Sequence, residues 1–142
     1  MPVRTGRSTL PSGTPGVAVV EWHGAGVLAD VNALVSQRLD RAAIMVQTEA
    51  RQSIRAPKSG KTRGARAIRS APGEAPASQH PVGLLSSVQY DAPSQLTRRI
   101  GTNLDYGLFL EMGAPTINLK PRPWLVPALL KMKARIQRLF KK

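Results

Sequence analysis

Apolar residues recur every three or four positions at Val27, Val31, Leu34, Val35, Leu39, Ala42, Val46 and Ala50, the period of one helix face. The pattern predicts one long helix over residues 26–55. At about 1.5 Å per residue it would reach roughly 45 Å, long for a small domain, so part of it is expected to pack on a neighbouring subunit. Arg38 and Glu49 project close to the stripe, an awkward placement in the core of an isolated monomer. Upstream, residues 17–22 (VAVVEW) read as a strand. Downstream, Val88 and Tyr90 alternate with polar neighbours and predict a hairpin, with strands at 86–91 and 95–102 joined around Ala92-Pro93-Ser94. The last helix, residues 124–140, places Leu125, Leu129, Met132, Ile136 and Leu139 on one side. Lys131, Arg135, Arg138 and Lys142 form a stripe beside it, where cations also complement the negative end of the helix dipole.

These elements predict an α+β fold: a small, mostly antiparallel sheet packed against one long α-helix and a C-terminal amphipathic helix. A single domain over residues 17–142 accommodates them. Residues 1–16, rich in Pro, Gly, Ser and Thr and without a hydrophobic period, read as a flexible N-terminal arm. Residues 57–81 carry Pro57, Pro72, Pro76 and Pro81 among glycines and bases and read as an extended basic loop. Aromatic residues make up only 4% of the chain, so aliphatic side chains must do most of the packing.

Charge adds a second layer. The net charge is +13, and the placement of the bases matters more than their number. Arg51, Arg55, Lys58, Lys61, Arg63, Arg66 and Arg69 follow one another with no acid between them, as do the six bases from Lys131 to Lys142. Such clusters favour a polyanion or an acidic protein surface. Lys58, Lys61, Arg63, Arg66, Arg69, Lys131, Arg135 and Arg138 are therefore the candidate partner-facing cations, against the plain alternative of a solvated, solubilising surface.

Candidate chemistry is sparse. The chain has no cysteine, so disulfides and thiolate metal sites are impossible, which suits a reducing cytoplasm. No apolar run approaches a membrane span or the core of a secretion signal, so no membrane partner is expected. Ser59-Gly60-Lys61-Thr62 copies the end of a phosphate-binding loop, but Arg55 stands where that loop needs a glycine and a helix precedes it instead of a strand. His23 and His80 lack acids or further ligands at metal-binding spacing. The scattered carboxylates offer no acid–base pair. No enzyme, cofactor or metal is expected.

The most informative stretch is DYGLFLEMGAPTINLKPRPWLVPALL, residues 105–130. A short aromatic-rich helix here is expected to stop at Gly113, which suits a C-terminal position with positive φ. Residues 115–123 read as a stiff connector, because prolines fix φ and bias their predecessors to extended geometry. Pro127 is tolerable in the first turn of the terminal helix, where its missing N–H costs nothing. Glu111 has two open readings: an ion pair across a subunit interface, with Arg122 as a partner, or a residue that caps or solvates a short helix. Trp124 reads as the packing anchor of the terminal helix, with an intersubunit contact as the alternative.

Tyr106-Gly107-x-x-x-Glu111-x-Gly113, then Arg122-Pro123-Trp124-Leu125 and Pro127-Ala128, together resemble the tail-completion or neck proteins of long-tailed bacteriophages, a family of small basic head–tail joining proteins. Ser70-Ala71-Pro72-Gly73-Glu74-Ala75-Pro76-Ala77 and Gly83-Leu84-Leu85-Ser86-Ser87-Val88 are similar to two further blocks of that family, in the same order. Val82, Val88, Gly107 and Trp124 depart from it, standing where the family has Thr, Ile, Ala and Phe. The resemblance spans roughly residues 17–140. It implies a structural virion protein, assembled in the bacterial host cytoplasm, that acts by association and not by turnover. It further implies a homo-oligomeric ring, sixfold closure being expected for a tail-side component, between a head-side connector and tail-tube or tail-terminator proteins. Packaged DNA would pass nearby. Tyr106, Glu111, Gly113, Arg122, Pro123, Trp124 and Pro127 are the motif residues expected to serve packing or interfaces. The rival reading is a free basic nucleic-acid-binding protein without sequence specificity, for which charge is adequate but no recognition motif is present.

Overall fold

Helix α1 runs Gly24–Arg55, starting two residues before the span its periodicity predicts and ending with it. It ends just before Ala56-Pro57, where the proline disfavours helical geometry in its predecessor. The Lys58 ammonium donates to the Ser53 carbonyl at 2.5 Å, meeting one of the acceptors that the last turn leaves free. The computed structural model describes residues 24–60, 70–77 and 83–141. The N-terminal arm, the strand expected at 17–22, both histidines and the bases Lys61, Arg63, Arg66 and Arg69 lie outside the described residues.

A one-turn helix α2, Leu84–Ser87, leads into a hairpin of β1, Gln89–Ser94, and β2, Thr97–Gly101. The strands pair antiparallel, with Tyr90 opposite Ile100 and Asp91 opposite Arg99. The hairpin was expected, but its boundaries differ. Ser86 and Ser87 leave the strand because their hydroxyls bond back to the carbonyls of Gly83 and Leu84, closing a helical turn. The chain reverses at Gln95-Leu96, and Pro93 stays within β1, where the register is irregular between Asp91 and Ser94. Proline is tolerated there because each strand of a two-stranded sheet is an edge. Helix α3, Asp105–Met112, and helix α4, Val126–Phe140, complete the α+β architecture.

The core forms where the second half of α1 meets α4 and the α2–β1 junction. Val46, Ala50 and Ile54 pack with Leu84, Val88, Trp124, Ala128 and Met132. Each large apolar side chain buried here contributes roughly 1.5–3 kcal/mol. Ala50 and Ala128 let the two helices approach closely, since neither projects beyond a methyl group. The Val88 carbonyl accepts from both Gln47 Nε2 and Arg51 Nη2, at 2.9 and 2.7 Å, fastening the junction to α1. The terminal helix keeps most of its expected face, with Met132 buried and Leu125 and Ile136 packed against the core, but Ala128 enters in place of Leu129, which is 48% exposed. Trp124, Ala128 and Met132 stand four residues apart on one row, and Leu129 lies about 100° round from Ala128.

Among the described residues, the first half of α1 has no comparable cover. Its stripe runs back from Val46 and Ala42 through Leu39, Val35 and Val31 to Val27, yet Val31 and Val27 are each 49% exposed and the neighbouring Leu28 is 65% exposed. The hairpin is tied to α1 at Ser36 and Asp40, through Arg98.

Candidate assembly interface

Glu111, on α3, accepts three backbone N–H groups at the entry to α4. Trp124 and Leu125 donate to Oε2 at 2.7 and 3.0 Å, and Val126 donates to Oε1 at 2.9 Å. The cap position of α4 is Leu125, which has no side chain able to do this, and Pro127 follows in the first turn. A carboxylate from another helix thus takes the role that Ser, Thr or Asp usually fills, and its charge suits the positive end of the helix. Of the two expected readings of Glu111, capping is the one the chain itself displays. It makes no ion pair with Arg122, and the helix it caps is not its own.

Trp124 is 2% exposed, and its indole Nε1 donates to the Gly107 carbonyl at 3.2 Å, so within the chain it is the packing anchor. Gly107 is buried against Thr102: a Cβ there would stand 2.3 Å from the threonine methyl. Gly113 ends α3 with φ +80, as its position suggests, and its N–H returns to the Phe109 carbonyl. A Cβ at Gly113 would also lie 2.9 Å from the Leu119 carbonyl oxygen. The expected stiff connector is instead a folded turn. Pro115–Ile117 form a 3-10 turn, Asn118 takes the left-handed conformation with φ +51, and Ala114 pairs with Leu119. Asparagine tolerates this geometry better than most residues, which lets the chain reverse here.

Arg122 is a structural tie. Its backbone N–H donates to Leu110, and its guanidinium to the carbonyls of Ser70 and Lys120. Gly73 N–H in turn donates to the Pro121 carbonyl. Residues 70–77 are therefore held against the α3–α4 connector, with Ser70 and Pro76 buried, and this portion of the expected loop is ordered. Pro72 and Gly73, with φ +83, occupy the middle of a turn closed from Glu74 to Ala71, the residue types a type II turn requires. Glu74 then reaches Ala71 N–H at 2.8 Å and Ser59 N–H at 3.1 Å, clasping both ends of the loop. These bonds, Ala71 foremost, hold its carboxyl below the usual carboxylate range. Pro123 is half-buried beside Trp124, and Tyr106 is 45% exposed on the outer side of α3.

The candidate cations divide. Lys58 is half-buried, its ammonium bound to Ser53, and loss of hydration lowers its pKa, so it is not a free partner-facing charge. Lys131 pairs with Glu49 at 2.6 Å, which also explains how Glu49 is accommodated beside the stripe. Arg135 and Arg138 are exposed on α4, together with Lys133 and Lys141. Arg98 binds Asp40 and Ser36, and that hydrogen bond holds the Asp40 carboxyl below its ordinary value. Asp40, Glu49, Glu74 and Glu111 are thus engaged within the chain. Sequence reasoning missed the Glu74 clasp, the Arg98 tie and the cross-helix cap. Only the Pro-Gly turn before Glu74 carried a local signal.

Beside Glu111 and Trp124 lies an open groove of about 720 Å³, lined by Thr102, Leu104, Leu108, Phe109, Trp124 and Leu125. Phe109 and Leu108 are 49% and 61% exposed. Among the described residues no group of His, Asp or Glu is placed to hold a metal ion, and no helix is long and apolar enough to cross a membrane. Compared with known proteins, the chain matches no family model, no curated protein and no solved structure.

Proposed function

We propose that this chain is a structural subunit of a tailed bacteriophage virion, a neck or tail-completion protein that forms part of the ring joining head to tail around the DNA channel. The observation that carries the reading is α1: a helix of 32 residues whose apolar stripe continues well past the part that the described residues cover. Contiguous exposed apolar surface of this kind marks an interaction site. The rigid cap and anchor at Glu111 and Trp124 are the hardware of a docking module. They also account for the motif on which the resemblance to the neck family rests.

In this reading the neighbours are copies of the chain in a ring, a head-side connector and tail-tube or tail-terminator proteins. Arg135, Arg138, Lys133 and Lys141 face DNA or acidic partners without reading sequence. Those exposed cations also favour the rival, a free nucleic-acid-binding protein. Interrupting the reading frame in the phage that encodes it separates the two. The neck reading predicts DNA-filled heads and finished tails that accumulate unjoined, rescued by supplying the chain in trans. Normal yields of joined particles would overturn it.

A further inference from the structure

We infer that the outer face of α4 docks into an apolar groove bordered by carboxylates on a different, acidic protein. The inference deepens the proposed function: it rests on the reading of the α4 bases as partner-facing and names the class of neighbour they meet. Val126, Leu129, Lys133, Gln137 and Phe140 recur every three or four residues, so they share one face of the helix. That face is distinct from the buried row of Ala128 and Met132. Its residues are exposed among the described residues, as are Leu130 and Lys141 beside them. Apolar anchors at this spacing are those with which a helix enters a groove.

Charge identifies the occupant. No acid follows Glu111 in the sequence, while α4 carries Lys131, Lys133, Arg135 and Arg138. Glu49 meets Lys131, and Asp40, Glu74 and Glu111 are engaged elsewhere. The other acids of the described residues, Asp30, Asp91 and Asp105, stand singly on α1, β1 and α3. Outside the described residues the sequence holds one acid, Glu21, against Arg4, Arg7 and the four bases from Lys61 to Arg69. Neither those segments nor a second copy supplies a row of carboxylates for Lys133 and Lys141, so the negative charge comes from a different molecule. Nucleic acid supplies charge without an apolar cavity. Its phosphates are met by basic and polar side chains and by backbone N–H groups, which leaves Leu129, Leu130 and Phe140 uncovered. A protein groove with an acidic rim satisfies both halves of the face, taking the apolar residues inward and holding Lys133 and Lys141 at its edge. Arg135 and Arg138 lie on the other flank of the buried row, clear of this contact.

Leu130→p-benzoylphenylalanine places a photo-crosslinker at the most exposed apolar position of the face, and Leu96→p-benzoylphenylalanine, at the hairpin turn, is the control. Each full-length chain replaces the wild type in the cells that make it, the cells are irradiated, and the products are identified by mass spectrometry. The expected result is a crosslink from position 130, and not from 96, to a different protein in a segment rich in Asp and Glu. Adding Lys133→Glu and Lys141→Glu should reduce it several-fold with an unchanged circular dichroism spectrum, while Lys133→Arg and Lys141→Arg should retain it. Raising the salt before irradiation of the lysed cells should weaken it in the same way, a second reading of the charge that needs no further variant. Crosslinks to a second copy, to DNA or to lipid would overturn the inference, as would a protein crosslink indifferent to charge reversal and salt, or none above the control. A charge-sensitive crosslink to a host protein outside any particle would support the inference and remove the virion reading. A crosslink to a second copy within joined particles would overturn the inference and leave that reading standing.

Discussion

Glu111→Ala removes one carboxylate and leaves three N–H donors at the head of α4 without their acceptor. Val126 is exposed and its N–H can turn to water, whereas the donors of Trp124 and Leu125 sit in partly buried surroundings. With about 1–3 kcal/mol for each buried donor left unpaired, two such donors put the loss at about 2–6 kcal/mol. That is a large share of the roughly 5–15 kcal/mol that holds a domain of this size together. Glu111→Gln keeps the shape and one acceptor oxygen, but its amide must present a donor to one of the N–H groups, so a smaller loss is expected. Urea unfolding followed by far-ultraviolet circular dichroism gives both values, and the midpoint should fall in the order wild type, Gln, Ala. A Glu111→Ala chain within about 0.5 kcal/mol of wild type, the range of an ordinary surface substitution, would refute the capping argument. Unchanged stability with lost assembly would return Glu111 to a subunit interface.

Trp124→Ala should cost about 3–5 kcal/mol as a buried aromatic, and Trp124→Phe about 1 kcal/mol beyond repacking, because the Gly107 carbonyl loses its donor; urea midpoints near wild type for both would contradict the anchor role. Gly113→Ala combines positive φ with a close approach to Leu119, so it should destabilise by at least about 1 kcal/mol in the same unfolding assay. The Glu74 carboxyl lies below its ordinary value in the folded chain, so its stabilisation is present above the unfolded pKa and lost as pH falls through the carboxylate range. Hydrogen-exchange protection at Ser59 and Ala71 should therefore fall on acidification, and Glu74→Gln should abolish that pH dependence; protection unchanged by pH would count against the clasp. Replacing Lys133, Arg135 and Arg138 together by Ser should leave the melting temperature nearly unchanged while weakening salt-sensitive, sequence-independent DNA binding; undiminished binding would show that these exposed bases do not contact the polyanion.

Legibility in the sequence followed the range over which each interaction acts. The span of α1, the end of α3 at Gly113 and the terminal helix were readable because local periodicity and one glycine conformation determine them. The hairpin was readable in kind but not in place: two serine hydroxyls drew Ser86 and Ser87 into a turn, and Pro93 proved compatible with an edge strand. At the candidate site, Trp124 was legible as an anchor because size and apolarity force its burial. The target of Glu111 was not, since the donors it meets are backbone groups 13 to 15 residues away, and backbone leaves no signature in residue type. For the same reason the tie of Arg122 to the Ser70 carbonyl could not be read; that of Arg98 to Ser36 and Asp40 could not because its partners lie 62 and 58 residues away, and the connector after Gly113 gave no sign of its reversal beyond Asn118.

Sedimentation of the wild-type chain beside a Leu28→Glu, Val31→Glu double variant tests the central claim most directly. Glutamate keeps good helix propensity, so α1 itself should survive while its apolar stripe is lost. The account predicts that the wild type associates into a closed ring with rising concentration. It predicts that the variant stays monomeric with an unchanged circular dichroism spectrum and urea midpoint. A wild-type chain that never associates, or a variant that still closes the same ring, would contradict it.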